Sequence, residues 1–267
     1  MWGRSWICSA DNRPRGLASH TVATLEIVRH HLRYRLRAGA GGRDPVLRWL
    51  RNQEAQYEVA IDIGAHHGLY ARALAGTART VLAVEPIPAL VAELRGVLPE
   101  RCRIIEAAMS ERSGSAILRV PLRQGLPDHA LGSLEPGVLR GAAYVSHKVP
   151  TLRLDDLAAR YAGAGRVGLV KIDVEGHEAA VLRGGAKMLR THRPVLLIEA
   201  EERHGCDVWA LFAWLAARGY LASIPWSGAT GQVGPEAFLA MQRSRGPGYA
   251  DYANNLLFTP AEAGSSS

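Results

Sequence analysis

Three short stretches carry ionisable side chains at spacings that suit ligand binding and proton transfer: Asp62-Ile63-Gly64-Ala65-His66-His67-Gly68, Glu85-Pro86, and Asp173-Val174-Glu175-Gly176-His177-Glu178. A dinucleotide site would want G-x-G-x-x-G with an acid about twenty residues further on. Here an acid precedes the first glycine and no middle glycine follows. Such an acid would repel a pyrophosphate, but it suits a ligand bearing ammonium or sulfonium charge. Glu85 follows at the tip of the next apolar run, where a carboxylate can accept two hydrogen bonds from a ribose diol. The third stretch, with Lys171 before it, holds five ionisable groups within eight residues, more than helix capping alone calls for.

S-adenosylmethionine is one ligand with this combination of charge and ribose. Asp62 is expected to hold its methionine end, with Gly64, Ala65, His66 and Gly68 forming the turn around it. Glu85 and Pro86 are expected at the ribose, and the small Ala108 with Met109 as a wall for adenine, against the alternative that these two are simply core. Asp173 and Glu175 are candidates for proton removal and acceptor positioning, and His177 is a third. A neutral alcohol is a poor nucleophile, so a base or a metal is needed. Asp173 and Glu199 end neighbouring strands, so two hard oxygen ligands could hold Mg2+ through waters, as a secondary reading.

These residues must be positioned by strands and helices in alternation. Val59 to Ile63, Thr80 to Val84, Arg103 to Ala108, Val167 to Ile172 and Pro194 to Ile198 read as apolar strands. Helices are expected from near Leu69, over Pro88 to Leu98, after an Asp155 cap, from Glu178 onward and over Asp207 to Arg218, with Trp209, Phe212 and Trp214 in the core. Gly184-Gly185 suggests a close approach or a break in its helix. The alternation implies right-handed crossovers and a parallel sheet. Tyr220 to Ile224 and Asn255 to Phe258 are the last strand candidates, with a loop between them. Residues 113–150 interrupt the pattern and read as an inserted hairpin with a mobile flap, where His129, His147 and Lys148 could meet substrate.

Ten arginines and three acids lie in residues 1–51, and that excess of seven equals the net charge of the whole chain of 267 residues. The remainder is balanced, without the basic stripe of a nucleic-acid groove, so no nucleic-acid partner is expected. Residues 1–43 read as a basic arm. In it Val22, Leu25, Val28, Leu32 and Leu36 form an apolar helical stripe, beside Arg29, Arg33 and Arg37. This helix either packs on the main domain or touches an anionic surface. Asp44-Pro45 opens a short helix, the domain runs over 44–260, and residues 261–267 read as a disordered tail. Cys8, Cys102 and Cys206 lack metal-ligand spacing, and neither a secretory leader nor a transmembrane run is recognised, so a cytoplasmic location is expected.

Taken together, Asp62 to Gly68, Glu85-Pro86, Ala108-Met-Ser-Glu-Arg-Ser-Gly114, Leu152-x-Leu154-Asp-Asp-Leu157, and Lys171-Ile-Asp-Val-Glu-Gly-His-Glu178 followed by Val181-Leu-Arg-Gly184 resemble the FkbM family of S-adenosylmethionine-dependent methyltransferases. The resemblance covers roughly residues 57–200, with Asn254-Asn255-Leu256 in keeping, and the Lys171 to Glu178 block is its specific part. It implies an α/β class I methyltransferase fold, Rossmann-like, with a seven-stranded, mostly parallel sheet and helices on both faces. It also implies O-methylation of a sugar, polyketide or related natural product, a small-molecule or glycan acceptor. Where the family often has Asn, this chain has His66. Two other readings are an N-methyltransferase acting on RNA or protein, for which the Asn/Asp-Pro-Pro-Tyr signature is lacking, and a non-catalytic S-adenosylmethionine-binding module.

Overall fold

The computed structural model describes residue 32 and residues 44–261 except 55, 136, 138–141, 164, 228–230 and 245–253. The arginine-rich helix of the basic arm and the tail after residue 261 lie outside the described residues.

Asp44 caps α1 (Pro45–Arg51), its carboxylate accepting the Leu47 N–H at 2.9 Å, as the Asp-Pro pair implies. Then follow β1 (Tyr57–Ile63), α2 (Leu69–Leu74), β2 (Ala78–Val84), α3 (Pro88–Val97) and β3 (Cys102–Ile105). An inserted unit comprises β4 (Ala108–Met109), β5 (Gly114–Arg123), β6 (Leu126–Pro127) and β7 (Tyr144–Leu152). The alternation resumes with α4 (Leu154–Tyr161), β8 (Val167–Ile172), α5 (Glu178–Gly184), α6 (Ala186–His192), β9 (Val195–Glu199), α7 (Val208–Ala216), β10 (Tyr220–Ser223), α8 (Pro235–Ser244) and β11 (Asn255–Pro260).

Seven strands form one sheet in the order β10-β11-β9-β8-β1-β2-β3. Only β11 runs against its neighbours, pairing antiparallel with both β9 and β10. The order reverses between β1 and β8, whose adjoining tips open the crevice where ligands bind in doubly wound sheets.

The period-2 alternation of β1 sorts its side chains between two cores. Val59, Ile61 and Ile63 join Val170, Ile172, Leu196 and Ile198 beneath α4 to α8. Ala60 joins Val81, Ala83, Leu169 and Leu197 beneath α1 and α2. Helices therefore cover both faces, which is why the central strands read as continuous apolar runs.

Several boundaries differ from the sequence reading. The third strand ends at Ile105, and Ala108-Met109 leaves the main sheet to pair with Thr151 and Leu152 in a second sheet of order β4-β7-β5-β6. That sheet packs Leu118, Val120 and Val149 against Ile87 and Leu90 at the start of α3, and so stands beside the crevice. Asp155 lies inside the first turn of α4 and accepts the Met188 N–H at 2.8 Å, near the start of α6. The helix expected from Glu178 onward breaks at Gly184-Gly185 into α5 and α6, as the glycine pair suggested. A Cβ on Gly184 would stand 2.2 Å from the Ser110 carbonyl oxygen, so the close approach exists as well. Phe212 is in the core and Trp214, half-buried, packs against it beneath the Arg218 guanidinium at 3.5 Å, but Trp209 is 56% exposed. Between β10 and β11, where a loop was expected, α8 buries Phe238 and Leu239.

Candidate active site

A cavity of about 300 Å³ opens at the strand tips, at the lower end of the range for small-molecule sites. Its wall brings together Gly64, Ala65, His66, Glu85, Pro86, Ala108, Met109, Asp173, Glu175, His177 and Glu199 from the sequence-based candidates. Asp62 and Gly68 are not part of that wall. His129 reaches the cavity from the insertion, whereas His147 and Lys148 lie on β7 and do not.

The tips are knit by main-chain bonds. Gly64 and Ala65 both donate to the Val84 carbonyl at 3.0 Å, and Asp173 donates to the Ile63 carbonyl at 3.0 Å. Gly64 adopts φ +80°, and a Cβ there would stand 1.9 Å from the Asp173 carbonyl oxygen, so the glycine serves strand contact as well as the turn. His66 and Glu175 take left-handed φ values of 49° and 50° without being glycine. Strain of this kind costs on the order of 1 kcal/mol each and collects at functional sites.

Glu85 is 3% exposed, and its two oxygens accept the His66 and Ile87 N–H groups, each at 2.9 Å. Each oxygen keeps a second lone-pair site. Burial raises its pKa to about 7, against the pull of those two hydrogen bonds. Beside it the wall turns apolar, with Ile87, Ala107, Ala108, Met109, Leu118 and Leu134. Burial lowers His66 to about 4, which leaves a neutral ring at the cavity at neutral pH.

The acidic end is a network. Lys171 is 1% exposed, with its Nζ 2.7 Å from Asp173 Oδ2 and 4.3 Å from the centre of the Tyr70 ring. Burial opposes the ammonium, but Asp173, Asp62 and Glu199 outweigh it and hold the lysine charged. Burial likewise opposes an ionised Asp173, yet Lys171 and a hydrogen bond with Glu199 hold its carboxyl below the usual range. Glu199 is pushed well up, by burial and then by the Asp173 charge, and so carries the proton the two acids share. Asn254 donates to Glu199 at 2.6 Å. Glu175 pairs with His204, and its carbonyl accepts the Ser133 hydroxyl at 2.7 Å. His177 contacts Glu135 and Ser110 through its two ring nitrogens.

Asp62 lies behind the cavity wall, directly before Ile63 and Gly64, which line it. Strand periodicity turns it to the α2 side, opposite Lys171 in register, where it is 0% exposed and neither oxygen has a hydrogen-bond partner. Burial raises it to about 6, against the attraction of Lys171. Mg2+ is poorly served: Asp173 and Glu199 do meet, but Asp173 already holds an ammonium and shares a proton with Glu199. Among the described residues no group of three or more His, Cys, Asp or Glu is arranged to hold a metal.

Lys171, Tyr70, Ser110, Glu135 and His204 were given no site role by the sequence reading. Lysine inside the apolar run Val167–Ile172 is itself a signal, since that residue type is almost never buried unpaired. The other four depend on contacts between segments far apart in the chain.

The cavity fits S-adenosylmethionine by its donor and acceptor set. A carboxylate with free lone pairs adjoins an apolar slot, the far end is acidic, and among the described residues no lysine or arginine lines the wall. The sheet order, with helices on both faces, is that of the class I, Rossmann-like methyltransferase fold. A family model described as the methyltransferase FkbM domain matches residues 62–222, more than half of the chain. The chain belongs to that family. No curated protein sequence matches it. Among solved structures, it is similar to methyltransferase FkbM from Methylobacillus flagellatus KT, at 15% identity and TM-score 0.48, over 78% of this chain and 44% of that one. The chain thus spans less than half the length of that relative. Magnesium protoporphyrin IX methyltransferase from Synechocystis PCC 6803, solved with bound S-adenosylmethionine, gives 12% identity and TM-score 0.41 over 93% and 100%. The 1,6-didemethyltoxoflavin-N1-methyltransferase of Burkholderia thailandensis gives 15% and 0.39 over 93% and 91%. Among the described residues no helix is long and apolar enough to cross a membrane.

Proposed function

We propose that the protein is an O-methyltransferase acting on a hydroxyl of a sugar, polyketide or related natural product. The observation that carries this reading is one cavity with Glu85 beside an apolar slot at one end and Asp173, Glu175 and His177 at the other. When bound, S-adenosylmethionine supplies an electrophilic methyl group on a sulfonium. Glu85 accepts the ribose hydroxyls, and Ala108 and Met109 flank the adenine. The loop from Gly64 to Gly68 faces the methionine end, while Asp62 acts from behind it, balancing the Lys171 charge. Asp173, held ionised, and Glu199, held protonated, accept from and donate to a polar acceptor. Glu175 and His177 border the acceptor side. Alignment of acceptor oxygen and methyl carbon contributes as much as proton removal. Among the described residues the thiols of Cys102 and Cys206 are free and buried, which supports a cytoplasmic location.

Calorimetry with S-adenosylmethionine tests the division of labour. Binding should be lost in Glu85→Ala and Asp62→Ala. It should persist in Asp173→Asn and Glu175→Gln, which lose turnover on a panel of sugar and polyketide hydroxyls. Wild-type protein that binds no S-adenosylmethionine at millimolar ligand overturns the reading.

A further inference from the structure

His177 is gripped from two sides. Its Nδ1 lies 2.6 Å from Glu135 Oε1 and its Nε2 lies 2.9 Å from Ser110 Oγ. The three residues come from the inserted unit, the segment just after β4 and the turn before α5, with sequence separations of 42 and 67. A carboxylate only accepts, so in the neutral ring Nδ1 carries the hydrogen and Nε2 presents its lone pair to the serine hydroxyl. The ring itself borders the cavity.

We propose that Glu135 is a positioning residue that holds His177 as the general base of methyl transfer, so that the insertion completes the catalytic group. This deepens the methyl-transfer reading above and rests on it. As the acceptor oxygen bonds to the methyl carbon, the carbon–sulfur bond breaks and sulfur keeps the electron pair as a neutral thioether. The hydroxyl proton passes to Nε2, and the imidazolium so formed is paired with Glu135. In the free protein the Ser110 hydroxyl takes the position on Nε2 that the acceptor hydroxyl then occupies.

The other acids of the cavity are engaged: Asp173 with Lys171, and Glu175 with His204. Of the charges near the ring, Glu111 is tied to Arg183 at 2.7 Å, and Glu175 and Glu178 flank His177 along the chain. The backbone that presents Glu135 is fixed independently of its carboxylate. Ser133 and Arg119 exchange main-chain hydrogen bonds at 2.9 and 3.0 Å, and the Ser133 hydroxyl accepts the Glu135 N–H at 3.1 Å. Glu135→Gln should therefore fold.

The test is long-range proton–nitrogen NMR on the full chain, with the His177 signals assigned by their loss in His177→Asn. Wild type should show the Nδ1–H tautomer, and Glu135→Gln should shift the population toward Nε2–H. Methyl transfer from S-adenosylmethionine to a panel of methyl glycosides and polyketide alcohols should fall about 100-fold in kcat in Glu135→Gln, with KM for S-adenosylmethionine unchanged and Glu135→Asp restoring part of the rate. An Nε2–H tautomer in wild type, or undiminished turnover in Glu135→Gln, overturns the proposal. The expected tautomer and its shift, together with no methyl transfer to any panel member by wild type, support the arrangement and overturn the acceptor class instead.

Discussion

The Lys171 ammonium stands 2.7 Å from the Asp173 carboxylate and, in strand register, directly beside Asp62. One buried cation thus serves an acid at the cavity and an acid behind its wall. Removing it would leave two buried carboxyls uncompensated, and breaking a buried pair costs about 3–5 kcal/mol. Lys171→Met is expected to lose that much in denaturant unfolding at neutral pH. The loss should be smaller near pH 5, where Asp62 takes up a proton. An equal loss at both values would mean that the charge pairing is not what the lysine contributes.

Stability of the free protein should fall as pH rises from about 6.5 to 8.5. Asp62 is raised to about 6, and Glu85 and Glu178 to about 7, so the folded state holds protons that unfolded carboxyls release near pH 4. Their contribution is fully present below the unfolded pKa and is lost as pH climbs through the folded values. Asp173 runs the other way, its contribution present above about pH 4 and lost as pH falls through its depressed folded value. His66, lowered to about 4, also withdraws stability on acidification, but only below about 6.5. Above that pH the raised acids dominate, and the decline should be on the order of 2 kcal/mol. Unfolding midpoints measured across this range check it.

The sheet was legible because β1, β2, β8 and β9 are apolar runs long enough to be covered on both faces, and because β1 runs into a glycine turn while β2, β8 and β9 each end in an acid or in an acid and a proline. Asp62 shows where the pattern stops informing. The same alternation that identifies a strand also decides which face an acid joins, and here it sends Asp62 under α2. Ala108-Met109 was read as continuing β3 because its residues are apolar, yet its partner is Leu152, more than forty positions away, and nothing local encodes that pairing. The contacts of His177 with Ser110 and Glu135 are likewise set by tertiary packing, so the motif supplied the histidine and not its partners.

S-adenosylmethionine should bind more weakly as pH drops from 8 to 6. The ionised Glu85 is the better acceptor for hydroxyls and the better neighbour for a cationic ligand, and protonation through about pH 7 removes both advantages. The expected loss approaches tenfold per unit below that point. In Glu85→Gln the affinity should be low and nearly independent of pH over the same range, as read by calorimetry.

Chelation should not matter. Asp173 is already neutralised by Lys171 and shares a proton with Glu199, so neither acid is free to bind a divalent cation. Binding of S-adenosylmethionine and methyl transfer are expected to be the same before and after EDTA treatment and dialysis. Loss of turnover that added Mg2+ restores would reverse this assignment.

Two alanine substitutions separate the strand junction from ordinary helix stability. At Gly64 the backbone is left-handed, and the new Cβ would stand 1.9 Å from the Asp173 carbonyl oxygen, so the tips of β1 and β8 would have to part. Gly64→Ala should cost more than about 3 kcal/mol and abolish S-adenosylmethionine binding, because His66 and Asp173 both move. Gly96 lies within α3 with nothing within 4 Å of a built Cβ. Gly96→Ala should stabilise by about 0.5–1 kcal/mol, through lower backbone entropy of the unfolded chain, and leave binding untouched. Thermal unfolding of the two variants with and without S-adenosylmethionine reads both effects. A Gly64→Ala protein that melts like wild type and is still stabilised by the ligand would show that contact between the two strand tips does not shape the cavity.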